Sequence, residues 1–333
     1  MPFMEKLIEC VPNYSEGRDR SVIDAIAGAI ASVEGVRVLH VDPGQAANRT
    51  VITFVGAPEA VVEAAFRGSA MAQERIDMRR HHGEHPRIGA TDVLPLVPVS
   101  GVSLEECATL ARGLAKRMYE ELGIPCYCYE AAAFTPERRN LAVCRAGEYE
   151  SLPEKMADPA RRPDFCGAWD ERAARSGASV VGARNFLIAV NFNLDTKDAA
   201  AATEVAKDVR EKGRKLPDGS WQRGPLKGCK AIGWYIEEYG IAQVSMNVTD
   251  IAATPLHVAY ETVARAAAAR GLRVTGTEII GLVPRQVLLD AGRHFLKGKD
   301  AGEEELVQAA IRGMSLDDLC PFDPKRKVIE YQL

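Results

Sequence analysis

The sequence predicts an α/β (α+β) protein of two subdomains, each of ferredoxin-like βαββαβ order, with mixed sheets and helices packed on one face. Three observations carry this. Runs rich in β-branched residues alternate with stretches whose apolar residues recur at helical spacing. The order strand–helix–strand–strand–helix–strand occurs twice along the chain. The strings Leu96-Val97-Pro98 and Leu282-Val283-Pro284 both end a strand and precede a helical pattern.

The elements follow in order. Residues 6–12 (KLIECVP) read as a strand, and Asp19 is a helix N-cap ahead of Val22, Ile23, Ile26 and Ile30 on one helical face. VRVLHVD (36–42) and RTVITFVG (49–56) are strands flanking a turn with Pro43 and Gly44, and Pro58 opens a helix to about residue 75. DVLPLVPV (92–99) is apolar but broken by prolines, a long helix runs from Ser103 to about Leu122, and PCYCYEAA (125–132) is a short strand. Residues 145–183 hold three prolines, clustered arginines and little periodicity. They read as a linker that works as a binding loop. The second half opens with FLIAVNFN (186–193) and a helix capped by Asp195 to about residue 212. A hairpin, 229–238 and 242–250, turns at Tyr239-Gly240. A helix from Thr254-Pro255 to Gly271 and a strand, 274–284, complete the order. The expected subdomains are 1–181 and 182–333.

Composition narrows the function. With 42 basic and 46 acidic residues the net charge is −4, which lacks the basic excess of a phosphate-backbone binder, so nucleic acid is not an expected partner. No stretch reaches the roughly 18 apolar residues of a membrane span, and MPFMEKLIEC lacks the layout of a signal peptide. The eight cysteines are scattered, and Cys126-Tyr-Cys128 has no zinc spacing. The expectation is reduced thiols in a cytoplasmic enzyme.

Four polar clusters could carry chemistry. Asp77-Met-Arg-Arg-His81-His82-Gly83-Glu84-His85-Pro86-Arg87 holds three of the six histidines, the side chain suited to proton transfer near neutral pH. His81 and His85 are four apart, but Gly83 and Pro86 oppose a helix and no further ligand spacing follows. No metal is expected. Asp42 to Thr50, with Asn48 and Arg49, presents an acid, an amide and a guanidinium at a sheet end. Val11 to Gly17, with Asn13, precedes a helix whose first N–H groups suit a carboxylate. Gly182-Ala183-Arg184-Asn185 leads to Asn191 within an apolar strand, where an amide needs a partner. Each cluster also has a plainer reading as a solvated loop, a hairpin tip or a cap. Dinucleotide, P-loop and G-x-S-x-G motifs are absent. The residues alone point to an α/β enzyme with a histidine acid/base site and arginines for an anionic small substrate.

Taken in that order the clusters resemble the glutamate formimidoyltransferase family. The matching strings include IECVPNYSEG (8–17), VDPGQAANRTVITFVG (41–56), IDMRRHHGEHPRIGATDVLPLVPVSGVS (76–103), RAGEYESLPEK (145–155), GARNFLIAVNFNL (182–194), AIGWYIEEYGIAQVS (231–245) and PFDPKRKVIEYQL (321–333). The resemblance implies transfer of a formimidoyl group between N-formimidoyl-L-glutamate and tetrahydrofolate, the latter as co-substrate. It also implies two α/β subdomains with a cleft for folate, and a homodimer. In animals the family's transferase is fused to a cyclodeaminase, and a chain of this length is expected to be monofunctional. The catalytic histidine falls on His85, with Asp42 orienting it or steadying the amidinium. Substrate-binding residues are expected at Asn13, Asn48, Arg49, Arg87, Gly182, Arg184 and Asn191. The folate segment covers Cys166, Gly167, Ala168, Trp169, Asp170, Glu171, Arg172, Ala173, Ala174, Arg175, Ser176 and Gly177, and is longer and more charged here than in the animal pattern. Two alternatives stand beside this reading: formyl transfer between 5-formyltetrahydrofolate and glutamate at the same site, and a folate-binding module without turnover.

Overall fold

In a computed structural model describing residues 6–332, the chain divides into two compact units, one ending at Asn185 and the other starting at Phe186. The division falls four residues after the expected 181/182 boundary. Gly182 and Ala183 are rungs of a strand in the first unit's sheet.

The first unit contains β1 (Leu7–Cys10), β2 (Asn13–Tyr14), α1 (Arg20–Ala31), β3 (Val36–Gly44), β4 (Arg49–Gly56), α2 (Pro58–Arg75), β5 (Thr91–Ser100), α3 (Leu104–Leu122), β6 (Cys126–Glu130), α4 (Leu141–Arg145), α5 (Leu152–Ala157), α6 (Glu171–Ser176) and β7 (Ser179–Ala183). Local signals start the helices. Asp19 accepts from Ser21 N–H at α1, Pro58 is at the first turn of α2, and Ser103 and Glu106 form a reciprocal capping box at α3. The strand read at 6–12 is β1, which ends at Cys10, and β2 follows as a separate piece at 13–14. They part at Val11-Pro12, opposite Pro95, so the N–H that Pro95 lacks interrupts no continuous ladder.

β3 lies on β4, β4 pairs antiparallel with β1 and β2, and β5 pairs antiparallel with both on their other side. The segment read as a linker then supplies β7, which inserts between β5 and β6 with both pairings parallel. Seven strands result, and helices cover both faces rather than one. Ile8, Phe54, Leu94 and Leu96 pack with Ile26, Ile30, Ala111 and Leu114 on one side. Val93, Tyr127, Tyr129 and Val180 pack with Cys144 of α4 and Leu152 of α5 on the other. Parallel strands buried on both faces read as continuous apolar runs, as β5 does.

The second unit contains β8 (Ile188–Leu194), α7 (Ala199–Val209), a two-rung ribbon of β9 (Arg214–Lys215) and β10 (Trp221–Gln222), β11 (Cys229–Ile236), β12 (Ile241–Val248), α8 (Leu256–Ala268), β13 (Val274–Ile280), α9 (Arg285–Phe295) and α10 (Glu303–Gly313). Its four-stranded sheet runs β11-β12-β8-β13, all antiparallel. Val190, Phe192, Val244 and Met246 alternate onto the face covered by Val205, Val263, Leu288 and Ile311.

Candidate active site

The sheet order brings three distant polar residues to one point. Asn13 of β2 stands opposite Val51 of β4 and Val93 of β5, so Arg49 and Asp92, near the starts of those strands, flank it. Arg49 Nε donates to Asn13 Oδ1 at 3.0 Å, and its Nη1 donates to Asp92 Oδ2. Arg145, the last residue of α4, donates from Nη2 to the same Asp92 oxygen at 2.7 Å. The other Asp92 oxygen accepts the Ile88 N–H at 2.8 Å. Asp92 is fully buried. Burial pushes its carboxyl pKa up, but Arg145 and Arg49 outweigh burial and hold it below the ordinary value.

The histidine segment is held by the loop between β3 and β4. Asp77 caps a single 3₁₀ turn at 78–80, after which His81 Nε2 meets the Asn48 carbonyl at 2.8 Å. Asn48 Nδ2 donates to the His82 carbonyl at 2.9 Å, and Asn48 Oδ1 accepts the Gly17 N–H at 3.0 Å. Glu84 N–H donates to the Ala46 carbonyl at 3.2 Å. Gly83 is required at this contact, because a Cβ there would lie 2.3 Å from the Ala47 carbonyl oxygen. Gly83→Ala must therefore move backbone. The expected cost is about 1–3 kcal/mol of stability, with a larger fractional loss of turnover, read by urea unfolding beside a rate assay. Unchanged unfolding would show that the loops are not locked together.

This loop sets His85 in place. Its Nδ1 lies 2.7 Å from the Pro86 carbonyl oxygen, which can only accept, so Nδ1 carries the hydrogen and Nε2 the lone pair. The imidazole pKa is pushed down to about 3, by burial first and then by Arg49 and Arg145, against the opposing pull of Asp92 and the Pro86 carbonyl. His85 is therefore neutral at pH 7, the form able to take a proton. Glycine and proline around it leave no helix, and among the described residues no group of three or more His, Cys, Asp and Glu side chains is placed to hold a metal.

Other expected residues fall differently. Asn13 and Arg49 belong to the constellation. Asp42 sits on β3 opposite Val51, and the carboxylate whose charge most raises the His85 pKa is Asp92. Asn48 bonds through its side-chain amide to Gly17 and His82 and so braces the loops together. Arg87 was expected to take a substrate carboxylate, but Glu150 faces both its terminal nitrogens, Glu148 adds a bond at 3.0 Å, and the guanidinium is enclosed in that ion-pair cluster. Gly182 makes room for Tyr129, whose ring carbon would be 2.4 Å from a Cβ, and this is a packing role. Arg184 donates backbone N–H to Leu96 and side-chain Nη1 to the Asn185 carbonyl, with its charge beside the Tyr129 hydroxyl. Asn191, on β8 of the second unit, donates to Glu278 at 2.9 Å.

Within the segment 166–177, Asp170 caps α6, Glu171 pairs with Arg79, and Arg175 donates to the Gln73 and Glu74 carbonyls. Trp169 lies against the Tyr149 ring, and Tyr149 donates its hydroxyl hydrogen to the Ala174 carbonyl. Ser176 O accepts the Ala90 N–H at 2.7 Å, which joins the end of this segment to the chain between His85 and Asp92.

Asp92 and Arg145 were missed in the sequence reading. The available signal was Asp92 itself, the one charged residue in IGATDVLPLVPV (88–99). A carboxylate within a buried apolar strand requires a cationic partner. Among the described residues no helix is long and apolar enough to cross a membrane.

The family profile for the formiminotransferase domain, N-terminal subdomain, matches residues 7–184, and that for the formiminotransferase domain matches 189–333. The chain is 48% identical over 332 residues to a formimidoyltransferase-cyclodeaminase of Gallus gallus, covering 98% of this chain and spanning only 60% of that protein's length. It is 41% identical to a glutamate formimidoyltransferase of Streptococcus pyogenes serotype M1, covering 89% of this chain and 95% of that one. It is 42% identical to a glutamate formimidoyltransferase of Thermoplasma acidophilum, covering 91% and 98% respectively. Two family profiles in sequence, and two relatives matched along nearly their full length, lead to one conclusion: the chain belongs to the formiminotransferase family.

Proposed function

We propose that this chain is a glutamate formimidoyltransferase that moves a formimidoyl group between N-formimidoyl-L-glutamate and tetrahydrofolate. The observation that carries the reading is His85: a neutral imidazole with its lone pair on Nε2, set beside two arginines that share one carboxylate. The tetrahydrofolate amine attacks the amidine carbon, forming a C–N bond. His85 Nε2 takes the proton that the amine sheds. The tetrahedral intermediate then breaks its bond to the glutamate nitrogen, and the imidazolium returns the proton to that nitrogen as L-glutamate leaves. Asp42 is assigned to steadying the positive amidinium. The segment from Cys166 to Gly177, bonded to the Ala90 backbone, is assigned to folate. A homodimer and a cytoplasmic location belong to the same reading.

The test is an absorbance assay of tetrahydrofolate with N-formimidoyl-L-glutamate, run beside N-formyl-L-glutamate. Fast turnover of the first and slow turnover of the second is the expected result. The reverse would make the enzyme a formyl transferase, and binding of folate without turnover of either would make it a carrier.

Turnover is expected to survive exhaustive chelation. His81 and His85 each commit a ring nitrogen to a backbone carbonyl, and among the described residues no group of three or more His, Cys, Asp and Glu side chains is placed to hold a metal. Activity lost on chelation and restored by zinc would overturn this expectation.

A further inference from the structure

The charges around Asp92 do not balance. Arg49 and Arg145 both donate to one oxygen of this carboxylate, and its other oxygen is taken by Ile88 N–H. The two guanidiniums are only 10% and 13% exposed. One positive charge is left over in a nearly dry site, which is costly unless an anion joins it. The donors are also unspent. The Arg145 Nε–H is buried without a protein acceptor, and neither Arg145 Nη1 nor Arg49 Nη2 donates to a protein group among the described residues.

Resting on the function proposed above, we propose that Arg145, with Arg49 beside it, receives the α-carboxylate of N-formimidoyl-L-glutamate. A guanidinium edge matches a planar carboxylate with two parallel bonds. The choice of the α over the γ carboxylate follows from bonding. The α-carboxylate is carried by the carbon attached to the nitrogen that His85 must protonate, whereas the γ-carboxylate is further along the chain. Arg49 and Arg145 are the cations whose charge weighs most on His85. Arg87 already has two carboxylates, Glu148 and Glu150, against its terminal nitrogens and leaves no uncompensated charge there.

Binding would also tune the base. The charged groups that act on His85 include Arg49 from β4, Arg145 from α4 and Asp92 from β5. A second carboxylate on the arginines offsets their field, so the imidazole becomes more basic once the donor is bound. The acid limb of kcat should then lie at higher pH than the acid limb of kcat/KM, since the former reports the loaded enzyme and the latter the free one.

The experiment compares wild type and Arg145→Met on two donors with tetrahydrofolate present: N-formimidoyl-L-glutamate, and N-formimidoyl-4-aminobutyrate, which lacks only the α-carboxylate. Wild type is expected to prefer the diacid in kcat/KM by about 10- to 100-fold, the worth of one charge-assisted pair. Arg145→Met should erase most of that preference by losing far more on the diacid than on the monoacid, and should shrink the gap between the two acid limbs. Preference retained in Arg145→Met, or an equal fall on both donors, overturns the assignment. If Arg145→Met does not fold, Arg145→Lys keeps the charge on Asp92 without the planar edge. It should lose part of the preference, and full preference would overturn the assignment. Wild type that turns over both donors equally overturns this inference and leaves the transferase reading standing. Wild type that turns over neither overturns both.

Discussion

His85→Asn is expected to lower the rate of transfer by about 10²–10⁴-fold, the usual worth of a positioned acid/base, while tetrahydrofolate affinity is unchanged. The measurement is kcat beside a calorimetric folate titration. His82→Ala should behave as wild type, because that side chain is exposed and its role is carried by its backbone carbonyl. His81→Ala should lose stability first and rate second, since its ring holds the Asn48 carbonyl. Near wild-type turnover in His85→Asn, with turnover abolished in His82→Ala, would place the chemistry elsewhere. The same His85 variant should also gain relative stability in acid. The folded pKa lies near 3 and the unfolded one near about 6.5. Between those values the unfolded chain holds a proton that the folded chain does not. The folded state therefore loses stability as pH falls through that window, by about 1–2 kcal/mol at pH 5. Asparagine has no such proton, so urea unfolding at pH 7 and pH 5 should show His85→Asn losing less than wild type between the two. Equal losses would mean that the imidazole is not held neutral.

Asp92→Asn carries the largest expected cost in stability. Asparagine leaves two buried guanidiniums facing each other without a counter-charge, and breaking a buried pair in this way costs about 3–5 kcal/mol. Because Asp92 is shared, removing one cation with it should recover part of the loss. Asp92→Asn/Arg145→Met is expected to be more stable than Asp92→Asn alone, with a coupling outside additivity. The check is the urea midpoint of the two singles and the double. An Asp92→Asn protein within about 1 kcal/mol of wild type, the range of an exposed pair, would mean that water reaches this carboxylate.

The alternation of elements was legible in sequence because both signals are local. Val22, Ile23, Ile26 and Ile30 mark a helix by spacing, and Ser103 with Glu106 marks a start by chemistry. β7 was not legible. Five residues, SVVGA, gain their meaning from insertion between β5 and β6, and no local pattern announces a parallel partner. The active-site reading divides along the same line. His85 stood out because histidines are few here and three were together. Asp92 and Arg145 were passed over because one lies in an apolar run and the other in an arginine-rich stretch, and their pairing spans 53 positions. For Arg87 and Asn48 a free guanidinium and a free amide look the same in sequence as engaged ones. Only the folded chain sets Glu150 against the first and Gly17 against the second.

The brace at Asn48 limits how the gene can be edited. Surface loops ordinarily accept inserted residues because their ends alone are fixed. Here the stretch 44–48 touches 17 and 81–84 through consecutive backbone groups, with Gly17 and Gly83 each against a carbonyl oxygen. One added residue at Ala46 would shift every one of those partners. By contrast the turn at Asp218-Gly219 is exposed, and a Cβ on Gly219 would meet nothing within 4 Å. A reporter peptide or fluorescent domain spliced at Gly219 should leave the enzyme working, whereas the same cassette at Ala46 should silence it.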